Sequence, residues 1–136
     1  MELNIVASSI NERAISEMNG WRWSQQIEVE DFHRMTTFTL DPRKQNVVIM
    51  DLATWHKLPI NCRPLPNRIT FVVSHTDDDI LNAGARVFRS LNSCFATLKK
   101  RNFQYKYEKV WVIGGQKLFK DAVECEYFQR VFFTRI

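Results

Sequence analysis

Three acids, Glu28, Glu30 and Asp31, stand just ahead of Phe32, and their types and spacing suggest chemistry. Glu28 and Phe32 would share a helix face, which sets a carboxyl group beside an aromatic wall. Partial burial there raises a carboxyl pKa and lets the group hold and pass a proton near neutrality. The plain alternative is an acid solvated in the first turn of a helix, where the dipole favours it. A second stretch, Val110-Trp-Val-Ile-Gly-Gly-Gln-Lys-Leu-Phe119, runs from apolar residues through Gly114 and Gly115 into a helical pattern. Paired glycines let the backbone turn tightly and come close to a bound group. The helix N-terminus beyond them offers unpaired N–H groups to a phosphate. An ordinary strand-to-helix turn is the commoner use of such a pair. Cys62, Cys94 and Cys125 are scattered, and His33, His56 and His75 lack ligand spacing. Neither a disulfide framework nor a metal site is expected.

The elements that must position these residues follow from hydrophobic period and turn signals. Residues 3–7, 47–50, 69–73, 110–113 and 131–134 read as short apolar strands. Residues from about 27 to 37, 52–58, 90–100 and 117–124 read as helices, with Leu91, Phe95 and Leu98 on one face of the third. The cations Lys99, Lys100 and Arg101 close that helix. Residues 8–23 read as irregular around Asn19-Gly20, and Pro59, Pro64 and Pro66 mark another loop. Strands alternating with helices predict an α/β fold, a mainly parallel central sheet covered on both faces. Ligands of such sheets bind beyond the carboxyl ends of the strands. Those ends are Ala7, Met50, Ser74 and Ile113 with the two glycines.

At 136 residues the chain is expected to form a single domain over residues 1–136. Its hydrophobic share of 45% and charged share of 25% are those of a globular protein. A net charge of +4 is too mild to single out nucleic acid as a partner and suits small anions equally well. The sequence shows neither a membrane-spanning stretch nor a secretory leader. An intracellular location, cytoplasmic or mitochondrial, and no membrane partner are expected.

Several segments then read together. They are Asn4-Ile-Val-Ala7, Phe32-His-Arg-Met-Thr36, Lys44-Gln-Asn-Val-Val-Ile-Met50 with Ala53-Thr-Trp55, Arg63-Pro-Leu-Pro-Asn-Arg68 with Ile69-Thr-Phe-Val-Val-Ser74, Val110-Trp-Val-Ile-Gly-Gly115, and Phe132-Phe-Thr-Arg-Ile136. In this order the chain resembles dihydrofolate reductase over nearly its whole length. The resemblance implies that fold and hydride transfer from NADPH to 7,8-dihydrofolate. It selects Glu28 among the three acids, by its spacing from Trp23 and Phe32, as the carboxylate that grips the pterin and promotes protonation of a ring nitrogen. Thr134 matches the threonine bonded to that acid. Ala7 and Ile113 would edge the pterin pocket with backbone carbonyls, beside Ile5. Val29, Phe32 and Leu58 would line the folate slot, and Arg68 would pair with the carboxylate of the glutamate tail. Gly114, Gly115, Ala7, Thr54, Ser74 and His75 would meet the cofactor.

The sequence departs from this pattern mainly on the cofactor side. Where the family carries Gly and then Arg or Lys after the strand ending at Met50, this chain has Asp51 and Leu52. The basic residue normally meets the 2′-phosphate of NADPH. At ~5 Å and an effective dielectric of ~20, the new like-charge pair costs about 3 kcal/mol. His75 stands where another basic residue is usual, Ser16 where the mobile loop has Gly, and Trp21-Arg22 where it has Leu-Pro. The family's C-terminal antiparallel hairpin has no counterpart up to Ile136, so residues 131–134 are expected to present an open sheet edge, in a monomer or an edge-strand dimer. Two readings follow: a reductase with impaired activity, or an inactive relative that binds folate, protein or RNA.

Overall fold

The computed structural model describes residues 1–8, 23–27, 29–58, 63–76, 80–81 and 83–134, with side chains for all of these except 7–8, 23–27, 29–32 and 133–134. The elements are β1 (Leu3–Ser8), β2 (Trp23–Ile27), α1 (Val29–Thr37), β3 (Gln45–Asp51), α2 (Leu52–Lys57), β4 (Arg68–Val73) and β5 (Arg86–Phe88). They continue with α3 (Leu91–Leu98), α4 (Arg101–Gln104), β6 (Tyr107–Gly114), α5 (Gln116–Val123) and β7 (Phe128–Thr134). The strands form one seven-stranded sheet in the order β2-β7-β1-β6-β3-β4-β5. Every neighbouring pair is parallel. All carboxyl ends therefore share one edge of the sheet.

The period of two along a strand divides the core into two layers. Val47 and Ile49 face one way, with Leu3, Ile5, Phe71, Val110 and Val112, against α3, α4 and α5. Val48 and Met50 face the other way, with Val6, Val72 and Trp111, against Trp55, Leu65 and the half-buried Met35 of α1. The unbroken apolar run from Val47 to Met50 is thus covered on both faces. Complete burial of each is worth about 1.5–3 kcal/mol. The short α4 is held by Phe103, whose ring lies 5.8 Å from both Phe71 and Tyr107.

One buried amide ties the layers together. Asn46 donates from Nδ2 to the carbonyls of Thr36 (3.0 Å) and Phe38 (2.8 Å), and its Oδ1 accepts from the Lys109 N–H (3.0 Å). It fixes the end of α1 to the amino ends of β3 and β6. Helix ends are settled locally. Ser90 caps α3 by accepting from the Ser93 N–H at 3.1 Å, and Asp51 caps α2 by accepting from the Thr54 N–H at 2.8 Å. Arg63 donates to the carbonyls of His56 and Leu58 at the end of α2, where a cation complements the dipole.

The expected strands and helices are present, with three differences. The helix expected from about residue 27 starts at Val29, because Ile27 closes β2. Strands β2 and β5 and helix α4 had no sequence expectation. The open edge expected at residues 131–134 is not found. Strand β2 lies alongside it, with Trp23 opposite Val131, Gln26 opposite Phe133 and Ile27 opposite Thr134. Most of the segment read as irregular, 8–23, lies outside the described residues.

Candidate active site

Strand order reverses at one place. From β3 the chain moves outward to β4 and β5, whereas from β6 it moves the opposite way to β7, and β3 and β6 are neighbours. A crevice opens where such adjacent strands send their connections in opposite directions. Met50 pairs with Gly114 there. A Cβ at Gly114 would collide with the Thr54 side chain, and one at Gly115 would lie 2.8 Å from Asp51 Oδ2. Gly115 also has φ 110°, which disfavours any other residue. It precedes α5 and, as a glycine, supplies no side-chain cap to that helix. Beside the crevice, Ser74 Oγ accepts from the Thr76 N–H at 3.1 Å, and Arg89 donates to the Ser74 carbonyl at 2.7 Å.

A second feature lies at the opposite end of β4. Arg68 is only 7% exposed. Its Nε donates to the Pro66 carbonyl (3.0 Å) and its Nη1 to Thr36 Oγ1 (2.9 Å), while Nη2 meets His33 Nδ1 at 3.4 Å. Burial lowers the guanidinium pKa, so the charge gains from an anionic partner. A guanidinium has five N–H donors, and those three contacts leave one on each Nη, the pair that grips a carboxylate through two bonds. At about 3.3 Å per residue, the length of β4 separates this fork from the crevice by roughly 20 Å. The arrangement suits an extended ligand with a carboxylate at one end.

The other candidate residues fall into place around these two features. Ile5 is fully buried and faces the α3–α5 layer, so its side chain does not line the α1 side. Ile113 and Leu58 are partly buried against the α1-side layer. Ala7 pairs with Phe133 at the carboxyl end of β1, and Ser8 with Thr134. Val29 and Phe32 lie on α1, one turn and more ahead of Met35. Glu28 lies outside the described residues. Its chain neighbour Ile27 pairs with Thr134, so the backbone brings the segment carrying the acid to the segment carrying its expected partner. His75 is exposed and Thr54 half-buried. Cys94 is fully buried, and burial pushes its thiol up to about 12, so it packs rather than reacts. Among the described residues no cluster of His, Cys, Asp and Glu could hold a metal ion, and no helix is long and apolar enough to cross a membrane.

Sequence reasoning missed Thr36, His33 and Asn46. A polar side chain opening the apolar run Asn46-Val-Val-Ile-Met50 was the one available signal, since a buried amide survives only when fully bonded. A cleft of about 900 Å³ lies between the last turn of α1 and the amino ends of β1, β6 and β7, and is reached by Trp111 and Phe132.

Comparison with known proteins agrees with the architecture. The family model described as dihydrofolate reductase matches residues 2–136. The viral dihydrofolate reductase of Saimiriine herpesvirus 2 (strain 488) is 33% identical over 98% of this chain, and the chain spans 63% of that relative's length. The dihydrofolate reductase of Gallus gallus is 31% identical over 98% of this chain and 71% of its own length. In structure, Schistosoma mansoni dihydrofolate reductase superposes with a TM-score of 0.77 at 30% identity, covering 99% of this chain and 73% of that one. With that family model matching residues 2–136 and that structure superposing on 99% of the chain, the chain belongs to the dihydrofolate reductase family.

Proposed function

We propose that the protein reduces 7,8-dihydrofolate to tetrahydrofolate with NADPH, for one-carbon transfer and for thymidylate and purine synthesis. The observation that carries this reading is the Arg68 fork, buried, positioned by Thr36 and Pro66, and about a β-strand's length from the crevice. Folate has that shape, a polar ring system at one end and a glutamate carboxylate at the other. Arg68 would hold the tail, Leu58, Val29 and Phe32 the middle, and Ile5, Ala7 and Ile113 the pterin through backbone and edge contacts. Glu28, with Thr134 beside its segment, would bind the pterin and promote protonation of its ring nitrogen, a step worth roughly 10²–10⁴ in rate. The substrate takes up one hydride and one proton.

NADPH, when bound, supplies the hydride. Part of the crevice fits it. Gly114 and Gly115 bring bare backbone to the end of β6, and the uncapped start of α5 suits a diphosphate. Ala7, Thr54, Ser74 and His75 would flank it. A second reading, an inactive relative that binds folate alone, is favoured by Asp51, whose carboxylate occupies the Thr54 N–H and stands against Gly115. Titration of the purified protein with dihydrofolate and with NADPH, followed by tryptophan fluorescence and then by loss of reduced cofactor, tests both. Turnover establishes the reductase; saturable folate binding without dinucleotide binding establishes the inactive relative.

A further inference from the structure

We propose that the cleft between the last turn of α1 and the amino ends of β1, β6 and β7 is a further binding site, and that it takes a small organic anion: a planar aromatic body bearing a carboxylate or phosphate. The proposal is independent of the reductase reading, because none of the residues given to dihydrofolate or to the dinucleotide lines this cleft. Its volume of about 900 Å³ falls in the range of small-molecule sites, roughly 300–1,000 Å³.

Strand register builds the floor. Asn4 of β1 pairs with Trp111 of β6 on one side and Arg130 of β7 on the other, and Val6 pairs with Phe132. Residues two apart on a strand share a face, so Glu2 with Asn4, Lys109 with Trp111, and Arg130 with Phe132 all line the cleft from the sheet. Trp111 and Phe132 make the floor aromatic, with ring centroids 5.6 Å apart and planes tilted by 55°. Met35 and Phe38 line it from the end of α1, and the Phe38 ring is 58% exposed. A flat ring laid between these walls would bury apolar surface on both its faces.

The charges set the sign of the ligand. Arg34, Lys109 and Arg130 line the cleft against a single acid, Glu2. Arg34 has other interactions, but among the described residues neither Lys109 nor Arg130 makes an ion pair. Lys109 is half-buried, where an anionic partner counts for more than in open water. A further observation concerns the floor itself. Trp111 is only 3% exposed, and its Nε1–H has no hydrogen-bond partner. A buried donor without an acceptor is uncommon and costly, so this floor is not a finished core. A small turn of the ring toward an acceptor atom of the ligand would satisfy it.

The probe is naphthalene-2-carboxylate, titrated into the full chain by calorimetry and located by nuclear Overhauser contacts. Saturable binding with a dissociation constant below about 1 mM, and contacts from the naphthyl protons to the Trp111 and Phe132 rings, support the proposal. Naphthalene-2-methanol, the uncharged counterpart, should bind about tenfold or more weakly, and added salt should weaken the carboxylate alone. Arg130→Glu reverses an exposed charge, which spares the fold, and should weaken the carboxylate about tenfold. Lys109→Gln should weaken it in the same direction, and Arg68→Lys should leave it unchanged. No saturable binding up to about 10 mM, equal affinity for the alcohol, or an unchanged affinity in Arg130→Glu overturns the proposal. Loss of binding in Arg68→Lys alone would put the probe at the buried fork of β4 and overturn it as well. Sedimentation tests the other occupant: a dimer that the carboxylate dissociates would mean that a second copy covers the cleft, and would overturn the small-anion site. Dihydrofolate turnover, present or absent, bears on the reductase reading only, so the two can fail separately.

Discussion

Glu28 and Arg68 stand at the two ends of the proposed substrate, and each makes a separable prediction. Glu28→Gln keeps a hydrogen-bonding side chain of the same size but removes the charge that anchors the pterin and promotes its protonation. Reductase kcat/KM should fall roughly 10²–10⁴-fold with an unchanged circular-dichroism melt. Full activity in that variant, with loss in Glu30→Gln or Asp31→Asn, would assign the acid to the wrong position. Arg68→Lys keeps the charge but replaces a planar fork with a single ammonium group. KM for dihydrofolate should rise about tenfold with kcat nearly constant, whereas a pterin substrate lacking the glutamate tail should show no change. A similar loss for both substrates would mean that Arg68 supports the fold through Thr36 and Pro66 and does not read the tail.

Among the elements, α1 depends most on a single side chain. The fully buried Asn46 side chain gives both Nδ2 protons to carbonyls at the end of α1 and accepts the Lys109 N–H. Asn46→Leu conserves volume and leaves those backbone groups unpaired, so the variant should lose about 3 kcal/mol in urea denaturation. A loss below about 1 kcal/mol would show that water or a shifted α1 replaces the bonds. The same element shows what the sequence could convey. The strands that became β1, β3, β4, β6 and β7 were legible because unbroken apolar runs of strand length must be covered on both faces, as Val47 to Met50 are. The Gly-Gly turn was legible because bare backbone has a use. Strand β2 was not, since Trp23-Ser-Gln-Gln-Ile27 is polar and has a strand on one side only. Nor was β5, whose three residues are too few to show a period. The tail site was half legible: the resemblance singled out Arg68, which on its own reads as an ordinary loop arginine. Its positioning by Thr36, thirty-two residues away in sequence, depends on how α1 lies across the sheet.

For the whole molecule, the stability of the sheet turns on what lies beside β7. Sequence reasoning left Val131 and its neighbours exposed along one side, which is a liability for self-association. The structure places β7 between β1 and β2, and the far end of the sheet is the three-residue β5 with the exposed Arg86, an edge too short and too charged to recruit another strand. In a parallel strand successive N–H groups point to alternate neighbours. A strand flanked on both sides therefore protects all its amides, and an edge strand protects only every second one. Hydrogen exchange read residue by residue should show Val131, Phe132 and Phe133 all exchanging slowly, at rates that do not change on dilution. Sedimentation over the same concentrations should give a constant monomer mass. Alternation of slow and fast amides along those residues would show that β2 leaves its place in solution. If the fast amides slowed with rising concentration, a second copy would be taking that place, and the edge-strand dimer would be the molecule's working form.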